Sequence, residues 1–108
     1  MGVTKTAHFS ESQNQMAELA KALGHPARIA ILQFLATQSN CVCGSIVDKL
    51  GLAQATVSQH LKALKDAGLI QGTIEGTNTC YCLNQEGVAT LRQMLNGLLN
   101  ECCAPNCC

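Results

Sequence analysis

The sequence predicts a mainly α-helical domain with one two-stranded β-wing, in the order ααααββα. Three observations predict it. Apolar residues recur at helical spacing in most of the chain, residues 69–83 switch to β-branched alternation, and glycine or proline stands at the joints between segments. With 108 residues, 47% of them apolar, the chain can build one core and leaves no room for a second. Phe9, Phe34 and Tyr81 are its only Phe, Tyr or Trp residues, so the core must be aliphatic, which favours packed helices over a sandwich.

Ser10 followed three residues later by Gln13 reads as a capping box. Met16, Leu19, Ala20 and Leu23 then predict a first helix over 11–23. Gly24 stops it, and Pro26 opens a second helix that carries Ile31, Leu32 and Leu35 to about Ala36. Thr37 to Asn40 form a polar loop leading into Cys41-Val42-Cys43, a short extended segment. A third helix is expected over 45–50, a tight turn at Gly51, and a fourth helix over 54–67 with Val57, Leu61 and Leu64 facing inward and Gly68 as its stop. Leu69, Ile70, Thr73 and Ile74, then Thr79 to Leu83, read as a β-hairpin turning at Gly76-Thr77-Asn78. Asn84 caps a last helix carrying Val88, Leu91, Leu95, Leu98 and Leu99 to about Glu101, so residues 1–101 form the domain and 102–108 a cysteine-rich tail.

Seven basic and seven acidic side chains cancel, so any attraction to nucleic acid must come from a local cluster. Residues 1–12 hold no apolar run of signal-peptide type and no stretch is long enough for a membrane helix, which predicts a cytosolic protein with no membrane partner.

Two short helices joined by a glycine turn and followed by a hairpin make a winged helix-turn-helix, whose second helix enters the major groove of double-stranded DNA. Here that helix is the fourth. Its outward residues are Gln54, Thr56, Ser58, Gln59, His60, Lys62 and Lys65, a set of donors, acceptors and cations with no carboxylate among them. The glutamines can present amide pairs to a purine edge, while Thr56, Ser58, Lys62 and Lys65 suit phosphates. For His60, buttressing the helix is as good a reading as meeting DNA.

The runs Leu23-Gly24-His25-Pro26-Ala27-Arg28, Ala53-Gln54-Ala55-Thr56-Val57-Ser58-Gln59-His60-Leu61-Lys62-Ala63-Leu64 and Ala67-Gly68-Leu69-Ile70 resemble the ArsR/SmtB family of metal-sensing repressors over roughly residues 15 to 100. The resemblance implies a homodimer built on the first and last helices, with two recognition helices meeting successive major grooves of a near-palindromic operator. Ala53 departs from the pattern, standing where many members have serine.

Eight cysteines in a chain expected to be cytosolic point to metal binding or redox chemistry rather than a disulfide framework. Cys41 and Cys43 share one side of an extended segment and can hold one soft ion. Arsenic-sensing members of the family place a Cys-Val-Cys at the start of the third helix and complete a three-sulfur site shortly after. In this chain Val47 occupies that third position, so the local site is incomplete. Two placements follow: a site within the tail alone, from Cys102, Cys103, Cys107 and Cys108, where Pro105-Asn106 can fold the second pair back onto the first, or a shared site joining Cys41 and Cys43 to Cys102 or Cys103. Cys80 and Cys82 read as small, half-buried strand residues.

The function expected is a repressor released from its operator when thiolates bind arsenite, with antimonite, cadmium or lead as other candidate ions. The rivals are a thiol redox repressor and a metal buffer. An enzyme has no support, since no Cys-x-x-Cys opens a helix and no glycine-rich phosphate loop is present.

Overall fold

The computed structural model describes residues 8–76 and 78–103. Its elements run α1 (Glu11–Leu23), α2 (Pro26–Ala36), β1 (Val42–Cys43), α3 (Ser45–Leu50), α4 (Gln54–Asp66), β2 (Ile70–Glu75), β3 (Asn78–Leu83) and α5 (Gln85–Cys102). Cys107 and Cys108 lie outside the described residues.

Local chemistry sets most of the boundaries. Ser10 and Gln13 close the capping box in both directions, at 3.0 and 2.9 Å. The α2 start is capped by a side chain the sequence reading passed over: His25 Nδ1 accepts from the Ala27 amide at 3.0 Å, with Pro26 behind it. At the end of α4, the Gly68 and Leu69 amides donate back to the Lys65 and Leu64 carbonyls while Gly68 takes φ +82°, a Schellman closure. Its apolar partners, Leu64 and Leu69, are both fully buried.

The expected two-stranded wing is present as β2–β3, and a third strand adds to it. The sheet has three strands in the order β1-β3-β2, all antiparallel. Val42 pairs with Tyr81 and Cys43 with Cys80, so the segment before α3 joins the wing's inner edge. The cause is apolar: Val42 is buried in the core beneath the helices, and burying it brings its backbone against β3. Asn78, expected in the turn, is the first residue of β3 and pairs with Glu75.

The core is one aliphatic cluster to which every helix contributes, among them Leu19, Ile31, Leu35, Ile46, Val57, Leu61, Leu64, Leu69, Ile70 and Leu91. Helix α5 starts against the α4–β2 turn. A Cβ on Gly87 would collide with the Gly68 carbonyl, so only glycine permits that approach. Helix α5 then continues one residue past Glu101, and Cys103 is its C-cap, so Cys102 and Cys103 close a helix.

Candidate functional site

The helix-turn-helix consists of α3, Gly51 at φ +67°, and α4. Along α4, Val57, Leu61 and Leu64 turn inward, while Gln54, Thr56, Ser58, Gln59, Lys62 and Lys65 are exposed together on the outer side. Ala53 is the N-cap and offers no side-chain acceptor, so the first amides of α4 lack the usual hydroxyl or carboxamide partner. Lys62 pairs with Asp66 at 3.0 Å, and both ends of the pair are mostly exposed, so the bond is weak enough to yield to a phosphate. The Lys65 ammonium lies over β2, 3.6 Å from where a side chain on Gly72 would begin. Strands β2 and β3 carry no lysine or arginine, so the cations of the helix-turn-helix are Lys49 on α3 and Lys62 and Lys65 on α4.

His60 is corrected out of that face. It is only 8% exposed, because its position falls within the Val57–Leu61–Leu64 stripe and its ring turns toward α2. Its Nδ1 accepts from Arg28 Nε at 3.1 Å, and its ring sits 4.2 Å from that of His25 at a tilt of 42°. Arg28 also donates through Nη1 to the Lys21 and Ala22 carbonyls at 3.4 and 3.3 Å, at the C-terminal end of α1. One guanidinium thus ties α1, α2 and α4 together. Burial first, then the charges of His25 and Arg28, holds His60 below its usual pKa of 6.5, so Nδ1 remains the acceptor this bond requires. The sequence did carry a signal for this, since His60 is spaced with the apolar residues rather than with the polar ones.

The thiols form a second constellation. Cys41 is bonded to Cys82 and Cys43 to Cys80, with Cα–Cα distances of 4.5 and 4.1 Å. Both bonds follow from the β1–β3 register, in which Cys43 lies opposite Cys80 and alternation puts Cys41 and Cys82 on the same face. Cys41 and Cys43 are exposed, Cys82 is half-buried and Cys80 fully buried. A cleft of about 330 Å³, lined in part by Gln38, Asn40, Cys41, Cys82 and Gln85, opens the Cys41–Cys82 bond to small reagents. Reading Cys80 and Cys82 as packing residues is therefore corrected: each partners a cysteine of the first pair. As disulfides these sulfurs are unavailable, and among the described residues no group of three or more His, Cys, Asp or Glu is arranged to hold a metal. Cys102 and Cys103 are exposed at the end of α5.

The sequence pattern described as the bacterial regulatory protein, arsR family, matches residues 25–71, from the α2 cap through the recognition helix to β2. The chain is 38% identical over 89 residues to the HTH-type transcriptional regulator MJ1325 of Methanocaldococcus jannaschii, covering 82% of this chain and 99% of that one. It belongs to the ArsR family. It is accordingly a DNA-binding transcriptional regulator, and its relatives are regulators rather than enzymes. A further relative, the HTH-type transcriptional repressor SmtB of Mycobacterium tuberculosis, is 43% identical over 72 residues, or 67% of this chain and 53% of that one. Among solved structures, the homodimeric winged helix-turn-helix domain of Mb0332 from Mycobacterium bovis superposes with a TM-score of 0.67 at 30% identity, covering 93% of this chain and 90% of that one. Within the ArsR frame, α4 is the recognition helix and β2–β3 the wing. Among the described residues, no helix is long and apolar enough to cross a membrane.

Proposed function

We propose that the chain is a homodimeric repressor that grips a near-palindromic operator through α4 and the wing, and that the thiol state of Cys41, Cys43, Cys80 and Cys82 sets its affinity. The pairing of Cys41 with Cys82 and of Cys43 with Cys80 carries the switch. Cys43 precedes α3 by two residues and Cys80 lies in the strand shared by both edges of the sheet. Closing the bonds ties the start of the helix-turn-helix to the wing, and these two parts must meet groove and backbone together. The reduced dimer binds, and the oxidised dimer lets go. For each pair, two thiols give up two protons and two electrons to a peroxide, which leaves as two waters while one S–S bond forms.

The DNA contacts are Gln54 and Gln59 toward base edges, and Thr56, Ser58, Lys62 and Lys65 toward phosphates. The dimer forms through α1 and α5. The homodimeric Mb0332 domain supports a dimer, and Phe9, Leu98 and Leu99, which are 57%, 39% and 55% exposed at or near those helices, support this face as its seam. The protein acts in the cytoplasm, where thiols stay reduced until an oxidant arrives.

A second reading, capture of a soft ion with arsenite first and antimonite, cadmium or lead after it, is favoured by a donor set composed of sulfur alone. Val47 leaves Cys41 and Cys43 short of a third ligand on α3. Reduced Cys80 or Cys82 would supply it from across the sheet, and Cys102 and Cys103 offer the route foreseen from the sequence. The two readings separate on a duplex selected from random DNA. In chelator-treated buffer, peroxide releases the reduced repressor under the first reading and leaves it bound under the second. Arsenite added without oxidant does the reverse. If neither reagent weakens binding, both readings fail.

A further inference from the structure

We propose that the Cys41–Cys82 bond is the exchangeable half of the switch, and that the cleft beside it admits a small thiol of cysteine or glutathione size as the reductant. Cys43–Cys80 stays closed toward the same thiol. This rests on the thiol-switch reading and assigns to that site its reagent and its point of entry.

The sheet makes the two bonds unequal. Cys80 lies in the middle strand, between Cys43 on β1 and Thr73 on β2, and is fully buried. Cys82 has Gln71 opposite it on β2, but β1 begins only at Val42, so its other neighbour is the 37–41 loop rather than a strand. The cleft of about 330 Å³ opens there, with Cys41, Cys82, Gln38, Asn40 and Gln85 in its wall. No residue lining it is charged, so an approaching thiolate meets no repulsion, and the carboxamides offer donors to the carboxylates that small biological thiols carry.

Exchange requires one sulfur to be reached and the other to leave as thiolate. At the first bond the exposed residue is Cys41 and the leaving group is half-buried Cys82, at the cleft wall. Gln85, the first residue of the 18-residue α5, stands in the same wall, and the positive end of a helix favours a thiolate. Glu86, the acidic residue of that turn, lines another cleft. At the second bond the exposed residue is Cys43, so the group that must leave is Cys80. A thiolate at Cys80 is stripped of water, desolvation disfavours the charged form, and departure is slow.

The step balances as follows. A small thiolate attacks the Cys41 sulfur; a new S–S bond forms while the Cys41–Cys82 bond breaks, and Cys82 leaves with the electron pair and takes up a proton. A second thiolate attacks the small thiol's sulfur in this mixed disulfide and frees Cys41. Two small thiols thus become one disulfide, and Cys41 and Cys82 together gain two electrons and two protons.

The test uses the full chain with both bonds formed and its other thiols alkylated, mixed anaerobically with excess glutathione. Samples taken over time are quenched with a second alkylating reagent, and tandem mass spectrometry reads the label at each cysteine. The expected result is that Cys41 and Cys82 open at least about tenfold faster than Cys43 and Cys80, through a transient glutathione adduct on Cys41. Equal rates, earlier opening of Cys43–Cys80, or a first adduct on any other cysteine overturns the proposal. A Cys41–Cys82 bond that resists glutathione also overturns it, whether or not a protein dithiol such as thioredoxin opens the bond. No DNA is present, so this outcome is separate from that of the peroxide experiment: the bond can exchange as described in a chain whose operator affinity ignores it.

Discussion

Arg28 carries more of the architecture than its sequence position suggests. It donates to His60 on α4 and to two carbonyls at the end of α1, and hydrogen bonds from a charged donor contribute about 1.5–3 kcal/mol each when one end is buried. Because Arg28 is half-buried and two of its bonds are long, R28A is expected to cost about 2 kcal/mol in a urea titration, without a change in slope. The pH dependence follows from His60. Its folded-state pKa lies below 6.5, so between that value and 6.5 the unfolded chain holds more protons and stability rises with pH. The His60 contribution is fully present above about 6.5 and is lost as pH falls through its folded-state pKa. In H60Q, which keeps an acceptor for Arg28 but cannot titrate, the acid loss should shrink; an unchanged profile would assign it elsewhere. Periodicity identified Val57, Leu61 and Leu64 as inward from sequence. His60 is spaced with them, but what its polar ring does there depends on its partner, and Arg28 is 32 residues away.

At the scale of elements, the helices were legible to within a residue or two, since caps and glycines act locally: Ser10, Pro26, Gly51, Gly68 and Asn84 each mark a boundary found in the fold. Strand β1 was not legible as a sheet member. Two residues carry no period, and their pairing with β3 depends on the core burial of Val42. The cysteine partners were missed for the same reason: two Cys-x-Cys pairs in extended segments show each can face one way, but only the register places them opposite each other. Two element-level changes probe this picture. Because α4 has no side-chain cap, A53S is expected to raise stability by about 1 kcal/mol, read as a higher denaturation midpoint. Gly87→Ala, which drives a Cβ into the Gly68 carbonyl, is expected to cost at least about 3 kcal/mol or prevent folding, since neither backbone can withdraw. On DNA, K65A should weaken binding about equally across sequences and lower the salt slope by about two per dimer, at roughly 0.9 per phosphate contact. Q59A should instead relax preference at particular base pairs.

For the whole molecule, the two disulfides join segments 41 and 37 residues apart in the chain and thereby constrain the unfolded ensemble. Loops of that length correspond to about 4 kcal/mol for the first bond and less for the second, which is nested within it. Reduction should accordingly lower the melting temperature by more than about 10 °C, visible by calorimetry with and without dithiothreitol. The reduced protein still has its aliphatic core and is expected to fold, which the proposed switch requires. Coupling between thiol state and operator is then reciprocal: if oxidation weakens DNA binding by a given factor, bound DNA must make oxidation harder by the same factor. Whether thiol state sets operator affinity is read most directly from the operator Kd of the dimer, fully reduced and fully oxidised, in chelator-treated buffer at one salt concentration. The Kd should be at least about fivefold larger after oxidation, with the change reversed by dithiothreitol and absent in C43S/C80S combined with C41S/C82S. Equal Kd values in the two states would contradict the switch.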